Sequence, residues 1–165
     1  MSALTTEGAI RKTLILGLGN TLLSDEGAGV YVVRELARHH GQRPDVEYMD
    51  GGTLSFTLAG PIEESAALIV VDTAELDATP GTVQVFEGDA MDHFVTTGKK
   101  SSVHEVSLMD LLAVAHLEGH LPQRRALVGI QPGYIDWGDG PTEPVAEAIP
   151  HACDRVLQIL GKWQS

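Results

Sequence analysis

Six consecutive apolar residues, Ala66-Ala67-Leu68-Ile69-Val70-Val71, run directly into a carboxylate, Asp72. A run this short and rich in branched side chains reads as a strand buried on both faces, which is typical of parallel sheets. Such a strand needs helices above and below it, and the rest of the chain supplies alternating elements. Thr13 to Gly17 is a buried first strand, Val46 to Met49 a second, closed by Asp50-Gly51-Gly52, and Arg125 to Ile130 a last one. Thr82 to Phe86 alternates and follows the turn Thr79-Pro80-Gly81, as an edge strand would. Gly29 to His39 carries Val30, Val33, Leu36 and Ala37 at helical spacing, with Ser24 or Asp25 as its expected cap. Thr53 to Ala59 reads as a short helix broken at Gly60-Pro61. Val106 to Leu117 is an amphipathic helix and Glu143 to Leu160 a last one. The alternation predicts one α/β sheet, mostly parallel, with helices on both faces. A chain of 165 residues suits a single domain.

In such sheets ligands sit beyond the carboxyl ends of the strands. Acids cluster there: Asp25 and Glu26 after the first strand, Asp50 after the second, Asp72 after the third. Asp25 and Glu26 have two readings, as acids favoured in a helix's first turn or as site residues. Asp72, at the end of so apolar a run, must find a partner, whether backbone amides, a hydroxyl such as Thr73, or a metal. Gly17-Leu18-Gly19-Asn20-Thr21-Leu22 resembles a dinucleotide fingerprint, but its third glycine position is Leu22. Two carboxylates stand where pyrophosphate would rest. Gly17 and Gly19 are better read as allowing a tight turn that aims those carboxylates at the sheet edge.

The charge balance is 23 acids against 11 bases, a net −12, which argues against nucleic acid as a partner. The acidity serves either solubility or the attraction of a cation or a basic peptide segment. The single cysteine, Cys153, excludes an internal disulfide and a thiolate zinc site, and its helical surroundings mark it as a core thiol. No apolar stretch is long enough for a membrane span, and Met1 to Lys12 has no secretory apolar region, so a cytoplasmic protein is expected. Of seven histidines, His39 and His40 end a helix, and His93, His116, His120 and His151 lie in polar or helix-surface contexts. His104 opens an element, in Ser101-Ser102-Val103-His104-Glu105-Val106. Glu105 makes no zinc-protease motif, because that needs a histidine where the chain has Leu108. One glutamate, one aspartate and one histidine form a plausible ligand set for a borderline divalent ion.

The stretch Leu14-Ile15-Leu16-Gly17-Leu18-Gly19-Asn20-Thr21-Leu22-Leu23-Ser24-Asp25-Glu26-Gly27-Ala28-Gly29-Val30 resembles the N-terminal signature of the nickel–iron hydrogenase maturation endopeptidases. The resemblance continues at Asp50-Gly51-Gly52-Thr53, at Leu68 to Asp72 and at Ser102-Val103-His104-Glu105, in order from about residue 12 to about residue 160. It implies a three-layer α/β sandwich with a central twisted sheet, as a single protease domain over 1–165 with a flexible N-terminal segment at 1–12. It implies Glu26, Asp72 and His104 as metal ligands, and Asp50 as a further residue that matters for activity. The implied substrate is the large-subunit precursor of a nickel–iron hydrogenase, cut near its C-terminus after nickel insertion. The implied metal is nickel, held by the protease or brought by its substrate.

The expected enzyme is therefore a monomeric endopeptidase of aspartyl or metallo type. Glu26, Asp50, Asp72 and His104 form its catalytic group, with Asp50 as general base or water-orienting residue. The competing expectation is a nickel-checkpoint protein that binds the precursor without cutting it. Gly98-Lys99-Lys100 and Asp136-Trp137-Gly138-Asp139-Gly140 are candidate precursor contacts, Trp137 either as an anchor or packed on the last helix.

Overall fold

The structure, a computed structural model, describes residues 11–97 and 106–164. Five strands form one sheet: β1 (Thr13–Leu18), β2 (Val46–Gly52), β3 (Ala67–Thr73), β4 (Val83–Glu87) and β5 (Arg124–Ile130). Their order is β2-β1-β3-β5-β4. All neighbours are parallel except β4, which runs antiparallel to β5 at the sheet edge. The helices are α1 (Ala28–His40), α2 (Ala59–Glu64), α3 (Asp89–Thr97), α4 (Leu108–Leu117) and α5 (Glu143–Gln164).

Strand alternation divides the core into two apolar layers. Ile15, Ile69, Val71, Val128 and Ile130 pack against Val32, Val33 and Leu36 of α1 and against Val145, Ala152 and Val156 of α5. Leu14, Leu16, Leu68, Val70 and Leu127 face the other way, onto Ile62 of α2, Met91 and Val95 of α3, and Leu111 and Ala115 of α4. The result is the expected α/β three-layer sandwich with a mostly parallel central sheet.

Some local expectations are corrected. The Gly60-Pro61 pair does not break a helix; Phe56–Leu58 forms a 3-10 turn and α2 continues through Pro61. Pro61 lies in the first turn, where its missing N–H has no intrahelical partner to lose. The segment after β4, to which the sequence pattern assigns no element, contains α3, whose Met91 and Val95 face the core. Arg125 of β5 holds it from beneath, donating from Nε to Asp92 Oδ1 at 2.9 Å and from Nη2 to Oδ2 at 2.5 Å. Such two-pronged, charge-assisted pairs are the stronger kind. Strand β2 runs on through Gly52, with a register shift opposite Gly17 and Leu18.

The chain passes from β1 to β2 on one side and then crosses to β3 on the other, so strand order reverses at β1. The crevice beyond the carboxyl ends of β1 and β3 is therefore the topological switch point, where open α/β sheets place their ligands. No described helix is long and apolar enough to cross a membrane.

Candidate active site

The loop after β1 enters the switch point through residues that tolerate little else. Gly19 has φ +137°, and a Cβ there would lie 1.9 Å from the Glu26 carbonyl oxygen. At Gly17 a Cβ would meet the Gly29 carbonyl oxygen at 2.4 Å. Gly17 thus lies in a regular strand and admits the start of α1, while Gly19 makes the turn. Between them and the helix, Ser24–Gly27 forms a 3-10 turn that is wholly buried, carrying Asp25 and Glu26.

Neither Ser24 nor Asp25 caps α1, which corrects the expectation; Gly27 occupies the cap with no side-chain bond. Both side chains turn instead toward the loop after β5. Asp25, 0% exposed, accepts from the backbone amides of Gly133 (2.7 Å), Tyr134 (2.9 Å) and Thr142 (2.6 Å), and from the Thr142 hydroxyl. Ser24 donates its hydroxyl to the Asp136 carbonyl at 2.8 Å. A buried carboxylate whose acceptor positions are filled by so many fixed N–H groups serves as a clamp between the two loops.

Glu26 is 1% exposed and faces a different neighbour. The Thr73 hydroxyl donates to Glu26 Oε2 at 3.2 Å, and the Thr73 amide donates to Asp72 Oδ1 at 2.8 Å. One threonine at the end of β3 thereby holds both carboxylates at the switch point. The hydroxyl proposed from sequence as a partner of Asp72 goes to Glu26, and the Asp72 bond comes from the backbone of the same residue. Two carboxylates so held fit an oxygen-accepting divalent ion, and one histidine would complete the set. His104 lies outside the described residues, as do Gly98, Lys99 and Lys100. Among the described residues, no group of three or more histidine, cysteine, aspartate and glutamate side chains gathers as a metal site.

Asp50 is placed differently. Its register partner on β1 is Gly17, whose partner on β3 is Val71, so Asp50 shares the α1 face of the sheet. Asp72, one residue beyond Val71, falls on the opposite face by strand alternation. The Asp50 carboxylate accepts from the Gly52 amide (3.0 Å) and from Arg34 of α1 (3.2 Å), holding the Asp-Gly-Gly corner.

The remaining candidates are distributed as surface or core. His39, His93, His116, His120 and His151 are exposed and His40 is half-buried. Cys153 is 8% exposed, and burial foremost pushes its thiol up to about 11. Trp137 is 71% exposed, which excludes packing under the last helix. The clamp on the loop after β5 was missed in the sequence, where its backbone donors leave no mark.

The family model for hydrogenase maturation proteases matches residues 30–159. The hydrogenase expression/formation protein HupD of Rhizobium leguminosarum bv. viciae is 37% identical over 153 residues, covering 92% of this chain and 75% of its own. The hydrogenase 2 maturation protease of Escherichia coli K12 is 32% identical over 150 residues, 90% of both chains. Among solved structures, the hydrogenase maturating endopeptidase HybD from E. coli superposes with a TM-score of 0.81 at 31% identity, covering 92% of this chain and 93% of that one. Similarity this extended, in residues and in fold together, makes the chain a member of the hydrogenase maturation protease family, and so a hydrolase.

Proposed function

We propose that this protein removes the C-terminal extension of a nickel–iron hydrogenase large-subunit precursor after nickel insertion, with Glu26, Asp72 and His104 gathered around the nickel. The observation that supports this reading is Thr73 at the end of β3, whose hydroxyl donates to Glu26 and whose amide donates to Asp72, so that both carboxylates are held at the switch point. The ion reaches the site as part of the precursor, and the reaction takes place in the cytoplasm on a monomeric protease.

Each residue has a definable part. Glu26, buried in the 3-10 turn before α1 and oriented by the Thr73 hydroxyl, presents a carboxylate whose rotamers are already restricted. Asp72 is fixed through the Thr73 amide. His104, from the segment before α4, supplies the nitrogen donor. When bound, a divalent ion polarises the scissile carbonyl or brings the pKa of a water toward neutrality. Asp50, held by Arg34 and by the Gly52 amide at the Asp-Gly-Gly corner, serves as general base or orients the water.

The test is incubation with nickel-loaded and nickel-free precursor, read by intact mass. Loss of a C-terminal peptide from the nickel-loaded form alone is the expected result. Binding without any loss of mass would favour the checkpoint protein instead.

A further inference from the structure

Most exposed aromatic and aliphatic residues on a protein surface are scattered singly. Here Leu22 (62% exposed), Tyr134 (51%), Ile135 (38%) and Trp137 (71%) stand on two loops that are joined to each other. Leu23 forms a parallel bridge with Gly138, whose amide donates to the Leu22 carbonyl at 3.2 Å. The Asp25 amide donates to the Tyr134 carbonyl, and the Asp25 carboxylate and Ser24 hydroxyl grip the second loop from beneath. Gly138 must stay small, because a Cβ would meet the Ser24 hydroxyl at 2.3 Å.

We infer that these two joined loops form a preorganised docking platform for the precursor, engaging an apolar segment flanked by basic residues near the bond to be cut. This inference rests on the proposed protease function. Three observations select that occupant. The platform is continuous with the site, since the clamp residue Asp25 immediately precedes Glu26. Exposed Asp136 and Asp139 border Trp137, on a chain of net charge −12, so a basic flank is complementary. The loops are already ordered by part-buried hydrogen bonds, so docking costs them little conformational entropy and the exposed aromatics can act as anchors.

The experiment measures both direct binding of nickel-loaded precursor and its cleavage, for the wild type and for Trp137→Ala, Leu22→Ser and the double variant Asp136→Asn/Asp139→Asn. Thermal melting of each variant checks the fold, which exposed side chains should leave intact. Trp137→Ala should weaken binding and raise KM by roughly 30-fold with kcat nearly unchanged, the size of an aromatic hot spot. Leu22→Ser should act in the same direction more weakly. The aspartate pair should flatten the salt dependence of association. Cleavage by all variants with wild-type KM and salt dependence overturns the platform while leaving the protease reading standing. Binding by the wild type without cleavage, lost in Trp137→Ala, overturns the protease and supports the platform. Absence of both binding and cleavage in the wild type overturns both.

Discussion

Asp25 and Glu26 are adjacent, almost wholly buried and identically charged, yet the fold uses them in opposite ways. Asp25 is surrounded by donors that cannot move, three backbone amides and a hydroxyl of the loop after β5. Glu26 meets a threonine hydroxyl, a donor able to rotate away, at the crevice between β1 and β3. A carboxylate held by fixed backbone amides is part of the architecture. One that accepts from a rotatable hydroxyl, at the crevice where ligands sit, can exchange that bond for one to a substrate. The 3-10 turn is what separates them, directing successive side chains to different neighbours.

The sharpest test of that contrast is Glu26→Gln, which keeps the shape and removes the charge. Cleavage of the nickel-loaded precursor should fall by on the order of 10³-fold, equivalent to about 4 kcal/mol of barrier, while the melting temperature holds or rises. A variant that cuts normally would return Glu26 to the architectural class. Next in size, Asp25→Ala leaves several buried amides without an acceptor and should cost about 3 kcal/mol of stability. For a chain of this length that is a fall of roughly 6–12 °C in melting temperature. An inactive Asp25→Ala protein with an unchanged melting temperature would erase the distinction between the two residues.

Thr73→Val probes the link between the carboxylates. The amide bond to Asp72 survives and the hydroxyl bond to Glu26 is lost. The expected result is about a tenfold loss of kcat, near 1.4 kcal/mol, with KM little altered. A change in KM alone would mean that Thr73 contacts the precursor and does not position Glu26.

The difference between the two acids also marks how far the sequence could be read. The central strands β1 and β3 were legible because burial on both faces leaves mostly apolar side chains, as from Leu68 to Val71. Asp72 was legible for the same reason, since it ends an apolar run, whereas Asp25, Glu26 and Asp50 were marked only by their place after a strand. The role of Asp25 was not, because its partners lie 108 to 117 positions away and are mostly backbone groups, which every residue possesses. Helix α3 had the pattern, with Met91, Phe94 and Val95 at helical spacing, but nine residues give a weak period beside a turn glycine. Asp50 was placed at the correct end of the sheet, yet its face depended on register, and a one-residue change of register reverses the face.

Cys153 extends the contrast to a titratable group that belongs wholly with the architecture, and the expected effect is the smallest. Its thiol lies between α5 and α1, with Sγ 3.8 Å from the Val32 carbonyl oxygen. Burial first, then the nearby charges of Glu35 and Asp154, raise its pKa from 9.0 to about 11. In the unfolded chain the thiol ionises near its ordinary value, while the native state keeps its proton. The stability that this group contributes is therefore fully present below about pH 9 and is lost as pH rises toward 11. Denaturant midpoints of wild type and Cys153→Ala at pH 7.5 and 10.5 should differ less at the higher pH, with cleavage at pH 7.5 unaffected by the substitution. A gap that stays constant between the two pH values would mean that the thiol is no harder to ionise in the fold than outside it. A loss of cleavage in a stably folded Cys153→Ala protein would move the residue from the core to the chemistry.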